Sequence, residues 1–272
     1  MQAFNNAGLI GQEQRRAGIL FAETMYRHEC PDVGEDPFAA PRRMRQVRLD
    51  NRAYRHVESL DLTHLRARFE RLGRQRGLDQ ALFERLDRHY GEPSRHYHNW
   101  HHIAACLREF DAIAHRLQDP TAVEMAIWFH DAVYVPGSKR NEIESARLAF
   151  EAIHSTDAAL AEKVQQFIEE TDYSRPARVV DADLDFLKDI DFAAFGKPFE
   201  EFWLDVERLR EESGENTWSL SSAAQRIRFY QSVLDGRVEL FRTESFKARL
   251  LDAALSNVRQ GIARLEEAIR VL

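Results

Sequence analysis

The sequence predicts an all-α protein. From Leu60 onward, apolar residues recur at spacings of three and four, the period of an amphipathic helix. No run of several segments shows the strict alternation of half-buried strands. With 12 Gly and 8 Pro in 272 residues, the chain also lacks the many tight turns of a β-sandwich.

Leu65, Phe69 and Leu72 form the first apolar stripe, with Gly77 as its stop. Leu82, Phe83, Leu86 and Tyr90 form the second, ended by Gly91 and Pro93. Ile103, Cys106, Leu107 and Phe110 form the third, with Ile113 and Leu117 beyond and Asn99 as a candidate N-cap. Asp119-Pro120 opens the fourth, because Pro suits the first helical turn, and Val123, Ala126, Ile127 and His130 lie along one stripe. Pro136-Gly137 marks a loop. Residues 142–150 and 160–168 read as two further helices. Pro176 and the Asp-rich stretch 181–191 read as an interruption. Residues 199–209, 218–234 and 246–272 complete the helices, and the stripe Leu250, Leu251, Leu255, Val258, Ile262, Leu265 and Ile269 reads as core or as a surface for a partner helix.

Residues 1–57 differ. Pro31, Gly34, Pro37 and Pro41 break any period, and Arg42, Arg43, Arg45 and Arg48 follow in a cluster. The expectation is a poorly ordered, flexible extension with one short helix over 19–26. Translation starting near Met44 is an alternative reading. Residues 58–272 are then the functional domain, large enough for a sizeable core.

The formal net charge of −7 argues against nonspecific nucleic-acid binding, although a local basic pocket for a nucleotide remains compatible with it. Two cysteines, Cys30 and Cys106, far apart and without metal-ligand spacing, argue against a disulfide framework. No apolar run approaches the length needed to span a bilayer. A cytoplasmic protein without a membrane partner is the expectation, and a homo-oligomer is compatible with it.

Two short segments carry the chemistry: Tyr97-His98-Asn99-Trp100-His101-His102-Ile103 and Trp128-Phe129-His130-Asp131. Adjacent His and Asp side chains do not share a helix face. A metal ion gathering ligands from several helices explains both segments. The bland alternatives are a surface or capping H-x-x-x-H and a buried ion pair at His130-Asp131. Trp128 and Phe129 read as core. His101 lies off the ligand face.

These residues resemble the HD superfamily of metal-dependent phosphohydrolases, and within it a bacterial group of unassigned substrate. The resemblance rests on R-x-Y-H-N-x-x-H-I (Arg95 to Ile103), A-I-W-F-H-D-A-V-Y (Ala126 to Tyr134), N-E-x-x-S-A (Asn141 to Ala146) and a late D-x-D-x-x-x-x-G (Asp189 to Gly196). It covers roughly residues 58–270. It implies an HD-domain helical bundle in which His102, His130 and Asp131 are metal ligands. The fourth ligand comes from Asp181, Asp183, Asp185, Asp189 or Asp191. Asp191 fits the family pattern best, and Asp189 is next. Y-H-N-x-x-H is also similar to cyclic-nucleotide phosphodiesterases, which implies His98 as the catalytic proton donor. Related sequences carry a further His after a Thr like Thr171. Here the stretch is Thr171-Asp172-Tyr173-Ser174, so a single metal is expected.

The resemblance implies hydrolysis of a nucleotide or other small phosphate ester by a metal-activated water, with Asp131 or Asp191 taking the water proton. Mixed N/O ligation suits one divalent transition ion, Mn, Fe, Co, Ni or Zn. Arg95, Lys139 and Arg140 are candidate phosphate contacts, each with a solvated charge as the alternative. Asn99, Asn141 and Glu142 are candidates to hydrogen-bond the ligand residues, with a helix cap as the alternative for Asn141. A regulatory protein of the same fold, with a structural metal and no catalysis, is the competing function.

Overall fold

The computed structural model describes residues 60–173, 175 and 178–270. The expectations for residues 1–57, including the helix over 19–26 and a start near Met44, lie outside the described residues. The described residues are helical and contain no strand.

The helices are α1 (Leu62–Arg76), α2 (Leu82–Tyr90), α3 (Trp100–Ile113), α4 (Pro120–Phe129), α5 (Asn141–Ile153), α6 (Ala158–Glu169), α7 (Ala182–Phe192), α8 (Phe199–Glu212), α9 (Leu220–Leu234) and α10 (Glu244–Arg270). Short 3-10 turns follow α3 at Ala114–Arg116 and α7 at Ala193–Gly196. The boundaries follow the caps. Asp61 accepts from the Thr63 N–H at the start of α1, and Gly77 ends that helix at φ 69°, a left-handed conformation natural to glycine. Asp119 accepts from the Ala122 N–H, with Pro120 in the first turn of α4. Asn99 caps α3 by accepting from the His101 N–H at 2.9 Å.

One expectation fails. The acid-rich stretch 181–191 is not an interruption but α7. Leu184, Leu187 and Ile190 supply a buried helical stripe, and Asp181, Asp183 and Asp189 accept backbone hydrogen bonds around it. Asp181 caps the helix by accepting from the N–H groups of Asp183 and Leu184. Asp183 accepts from the N–H groups of Gln118 and Asp119 at 2.9 and 2.7 Å, which ties α7 to the start of α4.

α4 is the central helix. Ala122, Val123 and Met125 through Phe129 are all fully buried, as an element apolar on every side must be. It packs against α3, α5, α6 and α7. Each large side chain so buried contributes roughly 1.5–3 kcal/mol. Trp128 stands edge-on to Phe69 and Trp100, and its carbonyl accepts from the Tyr90 hydroxyl at 3.0 Å. Trp128 and Phe129 are therefore core. α8, α9 and α10 form a second layer joined through the turn after α7. Val258 and Leu265 of the C-terminal stripe are fully buried there, and Leu250, Leu251, Leu255, Ile262 and Ile269 pack against the same core. No helix among the described residues is long and apolar enough to cross a membrane.

Candidate metal centre

His130 and Asp131 lie where α4 ends. Phe129 is the last helical residue and His130 is the C-cap. The chain turns there, which frees the adjacent pair from helical spacing and lets both side chains reach one point. His130 Nε2 stands 3.0 Å from Asp131 Oδ2. α3 delivers His102 from its first turn, with Nε2 3.1 Å from His130 Nε2 and 3.3 Å from Asp131 Oδ2. α7 delivers Asp191 from its last turn, with Oδ1 3.3 Å from His102 Nε2 and 3.7 Å from His130 Nε2. Three separate stretches of sequence thus meet in one cluster of two imidazoles and two carboxylates.

The tautomer indicates what the cluster is for. His130 Nδ1 lies 3.0 Å from the Ile127 carbonyl, so Nδ1 carries a proton and donates it there. A neutral His130 then presents a bare Nε2 lone pair toward His102 Nε2, inside the protein. Two lone pairs at that distance repel unless a proton or a cation sits between them. Four donors around an ion at about 2.1 Å would be separated by roughly 3.0–3.4 Å for octahedral or tetrahedral angles. The separations of 3.0, 3.1, 3.3 and 3.3 Å fall in that range, and the 3.7 Å between His130 Nε2 and Asp191 Oδ1 is slightly longer. The cluster can hold a divalent ion.

In the metal-free chain, protons serve instead. Burial works against charge on His102, but Cys106, Tyr97 and the Asp131 and Asp191 carboxylates outweigh it and hold the imidazole well above its ordinary range. His130 is raised likewise, against burial, chiefly by Asp131 and then Asp191. Burial would raise both carboxyls, yet the histidines hold Asp131 and Asp191 below the usual carboxylate range.

Cys106 joins the group. Its buried sulfur, with His102, His130 and Asp191, forms a set of donors within 4.8 Å of one another. The sulfur is 3.7 Å from His102 Nε2 and 3.9 Å from Nδ1. Near-equidistance from both ring nitrogens puts it beside the ring, not along the Nε2 lone pair. We therefore assign it as packing on the ligand ring.

Asp189, the other candidate for the fourth ligand, is spent elsewhere. It is fully buried and accepts from the Arg242 N–H at 2.6 Å, the Thr243 N–H at 2.8 Å and the Thr243 hydroxyl at 2.7 Å. It anchors the approach to α10.

His98 precedes the α3 cap, so it does not share a helix face with His102. Its ring centroid nonetheless lies 5.9 Å from that of His102. Nδ1 donates to Glu212 Oε2 at 2.6 Å, and the His98 backbone N–H donates to Glu212 Oε1 at 3.1 Å. Glu212, the last residue of α8, is buried. The sequence analysis missed it. A buried carboxylate at a helix C-terminus opposes the helix dipole, and that is the only signal it offered. Tyr134 stacks on His98 at 4.2 Å, and Tyr97 meets it edge-on at 4.9 Å. The clamp leaves Nε2 as the ring nitrogen open to a ligand.

Arg95 corrects an expectation. It is buried, and its guanidinium donates to the carbonyls of His98, Asp131 and Ala132 at 3.0, 2.6 and 2.9 Å and to Glu92 at 3.2 Å. A guanidinium so occupied joins the two histidine segments and has no fork left for phosphate. Arg140 is exposed and pairs with Glu144 at 2.6 Å, and Lys139 is exposed on the same loop. Asn99 donates to the Arg95 and His96 carbonyls besides capping α3, which holds the turn that carries His98. Asn141 is neither the cap nor a partner of the ligand histidines. It is the first residue of α5 and binds the Val135 N–H and carbonyl at 2.9 and 3.1 Å, closing the loop after Asp131. Glu142 faces Asp172 and Asp131. Burial first, then those two carboxylates, push its carboxyl up to about 7. His101 lies off the cluster, lowered by burial and by Arg208 and Arg108.

Comparison with family models, curated proteins and solved structures gives no match.

Proposed function

We propose that this chain is a metal-dependent phosphohydrolase of the HD type, acting on a nucleotide or another small phosphate ester. The observation that carries the reading is the convergence of His102, His130, Asp131 and Asp191 on one point, with the His98–Glu212 pair beside it. His102, His130, Asp131 and Asp191 would hold the ion. Mixed N/O ligation favours Mn, Fe, Co, Ni or Zn. When bound, a divalent ion supplies Lewis-acid polarisation of a phosphoryl oxygen and lowers the pKa of water.

The chain's own residues do the rest. Glu212 accepts from Nδ1 and fixes the His98 ring, which leaves Nε2 as the nitrogen that gives a proton to a leaving oxygen. Asp131 turns Oδ2 to the histidines, and its other oxygen is where a proton from attacking water can go. Arg95 holds the two histidine segments in register through carbonyls of both, which keeps donor and ligands at a fixed separation. Tyr134 and Tyr97 border His98 with aromatic faces and limit its solvent.

The test is elemental analysis of the purified protein, followed by assay of the reconstituted protein on a panel of nucleotides and simple phosphoesters. The reading expects one transition ion per chain, turnover on at least one ester, and loss of both in a folded His102→Ala variant. Full metal occupancy in that variant would refute the ligand assignment. One bound ion with no turnover on any ester would favour the regulatory protein with a structural metal. The carboxylates Glu142 and Asp172 near the cluster make the surroundings acidic, so phosphate binding is expected only in the metal-loaded form.

A further inference from the structure

Asp191 uses its two oxygens differently. Oδ1 faces His102 and His130, at 3.3 and 3.7 Å. Oδ2 accepts a hydrogen bond from the Tyr173 hydroxyl at 2.9 Å. Tyr173 comes from the link between α6 and α7. The start of that link is pinned by the Thr171 hydroxyl, which donates to the Ile168 carbonyl at 2.7 Å. The ring of Tyr173 lies on Phe192, the neighbour of Asp191, at 4.4 Å, and Phe192 stands edge-on to Phe195 at 5.7 Å. The phenol is therefore held in place by the same helix end that presents the carboxylate.

We infer that Tyr173 is a positioning residue that makes Asp191 a one-oxygen metal ligand. This rests on the metal-binding part of the function proposed above. A phenol donating to a carboxylate oxygen forms a charge-assisted bond and stops rotation about the Cβ–Cγ bond of Asp191. Only Oδ1 is then offered to an ion, and a coordination position stays open for water or substrate. Without the hydroxyl, Oδ2 is free to turn toward the ion as a second donor. Ions that accept two-oxygen carboxylates and high coordination numbers, Ca above all, gain relative to small transition ions.

The experiment titrates metal-free full-length protein with Co(II), read by visible absorption, and repeats the titration against Ca(II). The variant is Tyr173→Phe. Tyr230→Phe is the control, because the Tyr230 hydroxyl is buried without a hydrogen-bond partner. Loss of a hydrogen bond to a metal ligand typically weakens metal binding by about 10- to 100-fold. The expected result is a loss of that order for Co(II) in Tyr173→Phe. An altered Co(II) spectrum and a smaller preference over Ca(II) are expected with it, while Tyr230→Phe matches wild type and circular dichroism is unchanged in both.

Wild-type affinity and spectrum in Tyr173→Phe would overturn the inference, as would equal losses in both variants. Wild-type protein that binds Co(II) but cleaves no phosphoester would remove the hydrolase reading and leave this one standing. Turnover in wild type with unaltered Co(II) binding in Tyr173→Phe would do the reverse. Failure of wild type to bind Co(II) at all would overturn both.

Discussion

Replacing Glu212 with Gln tests the acid side of the proposed chemistry with little risk to the fold. Gln keeps an oxygen to accept from the His98 backbone N–H, the 3.1 Å bond that fixes the turn before α3. It loses the charge opposite Nδ1, where the carboxylate now stands at 2.6 Å. The amide nitrogen cannot accept the Nδ1 proton, so the protonated ring loses a charge-assisted bond of about 1.5–3 kcal/mol. At 1.36 kcal/mol per factor of ten, turnover at neutral pH falls by about 10- to 100-fold. The assay is kcat and kcat/KM of the metal-saturated variant across roughly pH 5–9, on an alkyl phosphoester and on its p-nitrophenyl counterpart. A nitrophenolate leaves with little need of a proton, so the loss shrinks on that substrate if His98 is the acid. Metal content and circular dichroism should match wild type. Equal losses on both esters, or full turnover on the alkyl ester, would refute the assignment of His98 and Glu212.

Two predictions separate scaffold from site. Asp189→Asn places an amide among three donors to a buried carboxylate, so it should destabilise the protein by roughly 2–4 kcal/mol in urea melts while the folded fraction keeps its metal stoichiometry; loss of metal at full stability would make Asp189 the ligand after all. Glu142 is raised from 4.5 to about 7 by burial and then by Asp172 and Asp131, so its folded form binds a proton that the unfolded chain has released. That contribution to stability is complete below about 4.5 and lost as pH rises through about 7, at most about 3 kcal/mol in metal-free protein. Glu142→Gln should lack this loss when urea midpoints at pH 5 and pH 8 are compared, and identical pH dependence in the two proteins would show that Glu142 does not carry it.

Most helices were legible because their apolar period survives in the sequence, and the single stripe read for α4 understated an element that is buried on all sides. α7 was obscured by composition. Its acids are caps and hydrogen-bond acceptors, and only the Leu184, Leu187 and Ile190 stripe marks it as a helix. At the site, His98, His102, His130 and Asp131 lay in two short segments and could be found by pattern, and Asp191 could be narrowed to two candidates. Glu212 could not be found, because it lies 114 residues from its partner and is one acid in a Glu-rich helix end. Arg95 was misread for a related reason. A sequence shows the charge on a guanidinium but not that three carbonyls have already taken its protons.

The placement of the cluster argues against a purely structural purpose. An ion-pair group buried at the end of the most apolar helix loses hydration on every member, and apolar residues of similar volume commonly serve stability as well or better. Here two carboxylates and two imidazoles are balanced only by proton uptake on His102 and His130, while His130 directs its Nδ1 proton to the Ile127 carbonyl and its Nε2 inward. Nothing in core packing requires that tautomer. A cation would suit it, since it could replace both imidazole protons with one charge that all four donors share. The surrounding hydrogen bonds fit the same purpose. Arg95 fixes the backbone of the Asp131 ligand, Tyr173 the carboxylate of Asp191 and Glu212 the ring of His98, so each group is held at its functional atom.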